Sequence, residues 1–222
     1  MNFKMLKSAF AGLVLSISSF ANAGLIVEYD FSTATSSTTL DATFVEADYL
    51  ATGLALNNPS NSATSFGNHF YHNGWDSTFN ANKYYETSIS SSNSFSLSSL
   101  SFALENLSGT SSYWLRSSLD GYNSNLSNGS FTNGLVTDFS VDLSTLGVIN
   151  SPITFRWFIA SSGVAGFANH ECGGVATQGC GLEDVGQDLQ FFGQTSEIPE
   201  PSTLAIFALG IMGLVSRRFK KL

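Results

Sequence analysis

Basic residues are scarce in this chain of 222 residues, and they are concentrated at its two ends. Lysine and arginine together number nine, of which two lie among the first seven residues and four among the last six. Only Lys83, Arg116 and Arg156 fall between Gly24 and Ile198, where 16 of the 17 acidic residues also lie, so this stretch has a formal charge of −13. A surface this acidic repels nucleic acid and anionic membranes. Nucleic acid is therefore excluded as a partner.

Cysteine is almost absent, since the chain has only Cys172 and Cys180, in the stretch ECGGVATQGC. In an exported protein such a pair favours a disulfide, and the intervening glycines let the loop turn back tightly. A metal site would need further ligands at characteristic spacing, and none are in view. The two cysteines are therefore predicted to form a short-loop disulfide.

Recognisable catalytic motifs are also missing. The chain has no G-x-S-x-G, no H-E-x-x-H, no phosphate-binding glycine loop and no recognisable Ser-His-acid set. We therefore expect a protein that is not an enzyme and has no cofactor. The alternative is a secreted polysaccharide hydrolase that uses paired carboxylates, which no local motif reveals.

Long helical periodicity is lacking, and apolar and polar residues alternate instead, as in half-buried strands. About eight such segments, joined by turns rich in Ser, Asn and Gly, predict a single all-β antiparallel sandwich of the jelly-roll type. Within Phe95–Leu104 the apolar face changes parity at Ser98-Ser99, which predicts a bulge or bend. The segments are Leu25–Phe31, Thr43–Leu50, Lys83–Ser90, Phe95–Leu104, Ser112–Leu119, Val136–Leu143, Ile153–Ile159 and Asp188–Phe192.

The N-terminal residues are typical of a secretory signal peptide. Lys4 and Lys7 precede an apolar stretch from Ala9 to Phe20, and Ala21 and Ala23 are small residues at the positions that a signal peptidase reads. Cleavage is predicted before Gly24. The domains are then a signal peptide at 1–23, a sandwich at 24–197 and a C-terminal segment at 198–222.

The C-terminal segment has three parts in a fixed order. The triplet Pro199-Glu200-Pro201 precedes a charge-free apolar run at about 203–216. The basic residues Arg217, Arg218, Lys220 and Lys221 follow the run. Such a run predicts a short transmembrane helix, and the basic end stays with the cytoplasmic leaflet.

This layout resembles a PEP-CTERM sorting signal of exported bacterial proteins. The resemblance implies an exosortase-type transpeptidase and signal peptidase as partners. It also implies anchoring in the inner membrane by the C-terminal helix, followed by transfer to the cell surface or matrix. An ordinary tail anchor is the alternative. The body, with KYYETSIS, FSLSSLSFAL, SYWLRSSLDGYNSNL and ITFRWF, looks like the β-sandwich ectodomains common in this group, which are similar to carbohydrate-binding modules.

Several aromatic residues are candidates for stacking on sugar rings, because a ring face packs against the apolar face of a pyranose. Tyr71 and Trp75 rank first, since they lie in the long polar segment Asn57–Asn82, which is predicted to be a loop. Trp157 alternates with core residues and is assigned to the core. The lower-ranked candidates are Tyr84, Tyr113, Trp114 and Tyr122.

Two groups of residues contain potential metal ligands. His69 and His72 lack a third ligand, and solvent-exposed loop histidines are the preferred interpretation. The carboxylates of the first strand and of the region before the last strand could converge on one structural calcium ion, or they could form a solvated acidic edge. These carboxylates are Glu28, Asp30, Glu183, Asp184 and Asp188.

The function predicted from these features is that of an exported surface or matrix protein that binds or organises exopolysaccharide. The alternatives are the polysaccharide hydrolase and, ranked last, an ice-binding protein. Ice binding is suggested only because this type of tail also occurs on some ice-binding proteins. The body lacks the regular threonine-rich repeat that a flat ice-binding face would need.

Overall fold

A computed structural model describes residues 23–31, 38–61, 69–168 and 188–195 of the chain. The predicted signal peptide, both cysteines, the sorting triplet and the predicted membrane helix lie outside these residues. Within the described ranges, no helix is long and apolar enough to cross a membrane.

The described residues form an all-β structure, as predicted. Fifteen strands lie within the described ranges: β1 (Gly24–Tyr29), β2 (Thr39–Leu40), β3 (Phe44–Val45), β4 (Tyr49–Ala51), β5 (Leu54–Asn57), β6 (His69–His72), β7 (Tyr84–Ser91), β8 (Phe95–Asn106), β9 (Thr110–Ser117), β10 (Ser127–Thr132), β11 (Thr137–Asp142), β12 (Val148–Ile149), β13 (Ile153–Ala160), β14 (Ala165–Ala168) and β15 (Leu189–Thr195).

These strands form two antiparallel sheets. The first sheet has the order β3-β1-β15-β8-β14-β6, and β11 and β12 also pair with β8. The second sheet has the order β10-β9-β13-β7-β5-β2, and β4 also pairs with β7. The predicted antiparallel sandwich is therefore confirmed. Its first and last described strands, β1 and β15, are direct neighbours in the first sheet.

The core between the sheets is mostly aromatic. Trp157 of the second sheet is fully buried, and its ring lies 5.4 Å from that of Phe167 and 5.9 Å from that of Phe102, both in the first sheet. Tyr85 crosses the core, and its hydroxyl donates to the carbonyl oxygens of Phe70 (3.2 Å) and Ala165 (3.1 Å). The assignment of Trp157 to the core is confirmed.

Strand β8 contains the predicted irregularity. Ser99 pairs with Phe192 whereas Leu97 pairs with Gly193, so Ser98 has no partner in β15. The extra residue returns Leu97 and Leu100 to the same buried face, which a regular strand with period two would not do. The change of parity in the sequence therefore marked a bulge.

The prediction of about eight strands was too low. The predicted strand Thr43–Leu50 is two short strands in different sheets, because β3 pairs with β1 and β4 pairs with β7. Strands β2, β5, β6, β10, β12 and β14 had not been predicted. Several of them are too short for alternation to be visible, and β14 (AGFA) is buried on both faces.

Candidate functional site

Strands β9 and β13 each place alternate residues on the outward face of the second sheet. Tyr113 and Leu115 of β9 are buried in the core, so Trp114 and Arg116 face outward and are partly exposed. In β13, Phe155 and Trp157 face the core, so Arg156 and Phe158 face outward. The apolar alternation that builds the core therefore also presents aromatic and cationic side chains on the opposite face.

The antiparallel register arranges these outward side chains in two adjacent rows. Phe158 lies opposite Trp114 on one side and Tyr84 of β7 on the other, which makes an aromatic row across three strands. Arg156 lies opposite both Arg116 and Glu86, which makes a charged row across the same strands. The two rows are two residues apart along each strand, or about 7 Å.

A segment between β6 and β7 covers one end of the aromatic row. Phe79 lies in this segment, and its ring centroid is 5.2 Å from those of Trp114 and Phe158. The segment is held by Lys83, whose buried ammonium donates to the Gly74 carbonyl oxygen (2.5 Å) and to Asp76 Oδ1 (2.7 Å). Phe79 nevertheless remains 38% exposed, so its ring is available to a ligand.

Asp76 is therefore anchored as an ionised carboxylate. Hydrogen bonds from Asn80 (2.6 Å) and Lys83 (2.7 Å) lower the pKa of Asp76. Lys83 is neutralised by this contact and contributes little net positive charge to the outer face.

The loop between β9 and β10 covers the charged row. It opens with the 3₁₀ turn Ser118–Asp120, and Gly121 and Tyr122 follow in the left-handed region, with φ of 67° and 63°. Among the described residues, Tyr122 is the only one other than glycine with a positive φ. Such a conformation is uncommon outside glycine, Asn and Asp, and it persists where the surroundings hold it.

Asp120 stabilises this loop. Its carboxylate accepts hydrogen bonds from the backbone N–H groups of Asn123 (3.2 Å) and Ser124 (2.8 Å). Hydrogen bonding by the side chain and backbone of Ser124, together with the other loop amides, lowers the pKa of Asp120. The loop is thus held in the conformation that brings Tyr122 to the charged row.

Both arginines of the charged row are held in place by aromatic rings and hydrogen bonds. The guanidinium carbon of Arg156 lies 4.2 Å from the ring centroid of Tyr84 and 4.0 Å from that of Tyr122, and its Nε donates to Glu86 Oε2 at 3.0 Å. Arg116 lies 4.8 Å from the Phe79 ring centroid and donates to Asn125 Oδ1 (2.8 Å) and to the Tyr122 carbonyl oxygen (2.9 Å). Cation–π contacts of this kind fix the plane of a guanidinium.

We name this surface the aromatic face. It combines the exposed or partly exposed rings of Phe79, Trp114 and Tyr122, which suit a flat apolar ligand surface, with arginines that donate hydrogen bonds, and the buried rings of Tyr84 and Phe158 lie beneath them. Its residues are Phe79, Tyr84, Trp114, Arg116, Tyr122, Arg156 and Phe158.

The prediction that Tyr71 and Trp75 stack on sugar is wrong, because both side chains are buried. Tyr71 belongs to β6 and is 2% exposed, and its hydroxyl donates to Glu105. Trp75 is 7% exposed, and its indole N–H donates to the carbonyl oxygens of His72 (2.8 Å) and Ala165 (3.1 Å). The region predicted to be one long loop contains a strand, so these rings build the sandwich and present no face to a ligand.

The interpretation of His69 and His72 as exposed loop histidines is also corrected. Both lie in β6, and His72 is 1% exposed, with its Nδ1 3.0 Å from the Tyr85 hydroxyl oxygen. His69 is partly buried and its ring stacks on Tyr71 at 4.5 Å. Burial lowers the pKa of His69, although Glu105 opposes the shift.

Only some of the hypothetical calcium ligands are among the residues that the structure describes. Glu183 and Asp184 lie outside them. Glu28 accepts a hydrogen bond from Gln190 Nε2 (2.5 Å), and Asp188 accepts one from the Phe31 backbone N–H (3.4 Å). Within the described ranges, no group of three or more His, Cys, Asp or Glu side chains is placed to hold a metal ion.

The sequence contained a signal for the aromatic face that was not used. Trp114 and Tyr122 were ranked below Tyr71 and Trp75, and Phe79 was not considered. Successive side chains of a strand point to opposite faces, so once Tyr113 and Phe155 are assigned to the core, Trp114, Arg116 and Arg156 must face outward. The assignment failed because a position in a supposed loop was given more weight than the parity of a strand.

Comparison with known proteins gave a family match for the end of the chain. A model of the PEP-CTERM protein-sorting motif matches residues 197–221, which include the triplet Pro199-Glu200-Pro201 and the basic residues from Arg217 to Lys221. This confirms the predicted sorting signal, which implies export. No curated protein matched the chain.

Seven solved chains matched this chain, and two of them are mutants of the family 29 carbohydrate-binding module CBM29-2. The first is 16% identical with a TM-score of 0.30, and the match covers 66% of this chain and 92% of the module. The second, complexed with mannohexaose, is 14% identical with a TM-score of 0.28, and the match covers 66% and 93%. Likenesses with TM-scores this low do not establish a ligand for this chain.

Proposed function

We propose that this chain is an exported surface or matrix protein whose sandwich binds extracellular polysaccharide on the aromatic face. The observation that carries this proposal is the group of partly exposed rings of Phe79, Trp114 and Tyr122 beside hydrogen-bonding arginines on one sheet face. An aromatic ring contacts the C–H face of a pyranose, while polar side chains at its edge bind the hydroxyl groups. The proposed activity is binding without catalysis.

Replacing Phe79 with alanine is expected to weaken polysaccharide binding by about tenfold, equivalent to about 1.4 kcal/mol. The reason is that Phe79 supplies an exposed ring and holds the ring of Trp114 edge-on at 5.2 Å. The measurement is affinity electrophoresis of the exported protein, purified in detergent, against a panel of bacterial and plant polysaccharides.

Phe44→Ala is the matched control, because Phe44 is also 38% exposed but lies in β3 of the other sheet. It is expected to leave binding unchanged. Equal loss of binding in both variants would contradict a site on the aromatic face. Steady release of sugar products from the bound polymer would replace the binding proposal with the hydrolase alternative.

The sorting part of the proposal concerns the C-terminal segment. The apolar run at 203–216 holds the exported chain in the inner membrane with Arg217 and Arg218 on the cytoplasmic side, as the distribution of basic residues favours. An exosortase-type transpeptidase then cleaves near Pro199-Glu200-Pro201 and transfers the sandwich to the cell surface or matrix.

Mass spectrometry of the surface-released protein is expected to find a mature form that begins at Gly24 and ends near Pro199-Glu200-Pro201. Glu200→Gln is expected to reduce this form and to leave the precursor in the membrane. Glu197→Gln, an equivalent change three residues before the triplet, serves as the control. A released protein that retains Arg217 and Arg218 would contradict the sorting proposal.

A further inference from the structure

We propose that the polysaccharide bound by the aromatic face is acidic, and that Arg116 and Arg156 bind the carboxylate groups of its uronic-acid residues. This inference rests on the proposed function, because it names the ligand class of the same face. It begins from the distribution of charge over the body of the protein.

The aromatic face holds Arg116 and Arg156, two of the three basic residues between Gly24 and Ile198, in a stretch whose formal charge of −13 otherwise repels anions. Lys83 is neutralised by Asp76 at 2.7 Å, so it serves the framework of the site. Arg116 and Arg156 are direct cross-strand partners in the register of β9 and β13. Like charges directly opposite each other on neighbouring strands destabilise a sheet.

This pairing of like charges has no favourable electrostatic contribution of its own. The body contains 16 acidic residues, any of which would have made a favourable partner for an arginine, yet only Glu86 flanks Arg156 and an arginine occupies its other side. Two adjacent guanidinium groups are favourable when an anion binds between or above them. The arrangement thus has a cost in the free protein that an anionic ligand would offset.

The hydrogen-bond donors of both arginines are only partly used. Arg156 donates through Nε to Glu86, and within the described residues its two Nη groups make no hydrogen bond. Arg116 donates through Nε and Nη1, and in the same ranges its Nη2 makes none. The side chain of Arg156 is 26% exposed, so a ligand can reach these donors.

The positions of the guanidinium groups are set before a ligand arrives. Arg156 lies over the rings of Tyr84 and Tyr122, and Arg116 is fixed by Asn125 and the Tyr122 carbonyl oxygen. A guanidinium that is already oriented loses less entropy when it binds a carboxylate, and its planar fork suits two parallel hydrogen bonds.

The spacing of the two rows agrees with a carboxylated sugar. The charged row is about 7 Å from the aromatic row along the strands. A pyranose stacked on Trp114, the partly exposed ring of this row, can direct a carboxyl group at its ring edge toward the neighbouring row. A neutral polymer would stack on the rings equally well but would leave the arginine donors without an anionic partner.

The test uses the full-length protein, purified in detergent, with polygalacturonate as the probe. Its methyl-esterified form, a neutral glucan and a sulfated galactan without carboxylates are the comparison polymers. We expect polygalacturonate to bind at least about tenfold more tightly than the esterified polymer, because esterification removes the charge and keeps the sugar ring. Arg156→Gln and Arg116→Gln are each expected to remove about tenfold of this preference.

Two control variants separate this site from general electrostatics. Arg156→Lys keeps the charge but removes the planar fork, so it is expected to recover only part of the affinity. Ser140 is an exposed residue of β11 in the other sheet, and Ser140→Asp makes the net charge more negative by the same amount as Arg156→Gln. This variant is expected to leave binding unchanged. Thermal unfolding of each variant checks that the sandwich is intact. We expect the arginine variants to remain folded, because a partly exposed ion pair such as that between Arg156 and Glu86 contributes little to stability.

Four results would overturn the inference. If Arg156→Gln leaves polygalacturonate binding unchanged while Phe79→Ala weakens the binding of every polymer, the aromatic face binds sugar without selecting an acid. If the sulfated galactan binds as tightly as polygalacturonate, the assignment to carboxylates is wrong. If Ser140→Asp weakens binding as much as Arg156→Gln, the affinity depends only on the net charge of the protein and not on the two arginines. If no polymer binds, the proposed function itself is wrong and the inference is lost with it.

Discussion

Trp157→Ala is expected to lower the free energy of unfolding by about 3–5 kcal/mol, the range typical of removing a large aromatic side chain from a core. Trp157 is fully buried and belongs to the second sheet, yet its closest ring contacts, with Phe167 and Phe102, are to the first sheet. Its loss would open a cavity at the junction of the two layers. Because domains are stable by only about 5–15 kcal/mol, this one change would remove a large fraction of the total.

The variant Trp157→Phe tests the physical reason. Within the described residues, the indole N–H of Trp157 has no hydrogen-bond partner, so replacing the ring removes volume but no hydrogen bond. The expected loss is therefore about 1–2 kcal/mol, well below that of alanine. Chemical unfolding followed by circular dichroism measures both variants. An alanine variant within about 1 kcal/mol of the natural protein would contradict the proposed packing of the two sheets.

Trp75→Ala is expected to lower the free energy of unfolding by about 3–5 kcal/mol as well, rather than to remove a ligand-binding ring. The indole packs at 5.2 Å from the ring of Tyr85 and donates to the carbonyl oxygens of His72 and Ala165. The substitution would therefore empty a buried site and would leave two buried carbonyl groups with one donor fewer.

The matched control is Trp114→Ala, because Trp114 is a partly exposed tryptophan on the aromatic face. It is expected to weaken polysaccharide binding by about tenfold or more and to cost much less stability than Trp75→Ala. Thermal unfolding and affinity electrophoresis of both variants separate the two roles. A Trp75→Ala protein with unchanged unfolding temperature and lost binding would return the stacking role to Trp75.

The alternation of residues was sufficient to predict the long strands. Strands β7, β8, β9, β11, β13 and β15 lie close to their predicted positions, because apolar residues recur in them with a period of two over part or all of their length. The bulge at Ser98 was visible for the same reason, since a change of parity cannot occur in a regular strand. The strands that were missed are short, polar or buried on both faces. Such segments do not show an alternation of apolar and polar residues from which a strand could be predicted.

The prediction of the site failed where burial depends on contacts between segments distant in sequence. Trp75 and Tyr71 lie in a polar stretch that looks like a loop, but strand β14 pairs with β6. Its Ala165 carbonyl oxygen accepts a hydrogen bond from the Trp75 indole, 90 residues away in sequence, at 3.1 Å. No local pattern contains that information. Position in a loop and exposure to solvent are different properties, and only the second one permits stacking on a ligand.

The sequence by itself determined the sorting signal, which implies export, and the layering of this protein. The order of the triplet, the apolar run and the basic tail is a linear signal, and the family match at residues 197–221 agrees with it. Alternation likewise determined that the body is a sandwich, because a period of two requires only that one face of each strand be buried.

Only the tertiary structure decided which residues meet. Strand order and register brought Arg116 and Arg156 side by side and aligned Trp114, Phe158 and Tyr84 in one row. The physical reason is that side-chain parity gives a residue's face but not its neighbour, which is set by hydrogen-bond pairing between strands that are distant in the chain. The aromatic face, which is made from three strands and two loops, therefore exists only once those strands have paired.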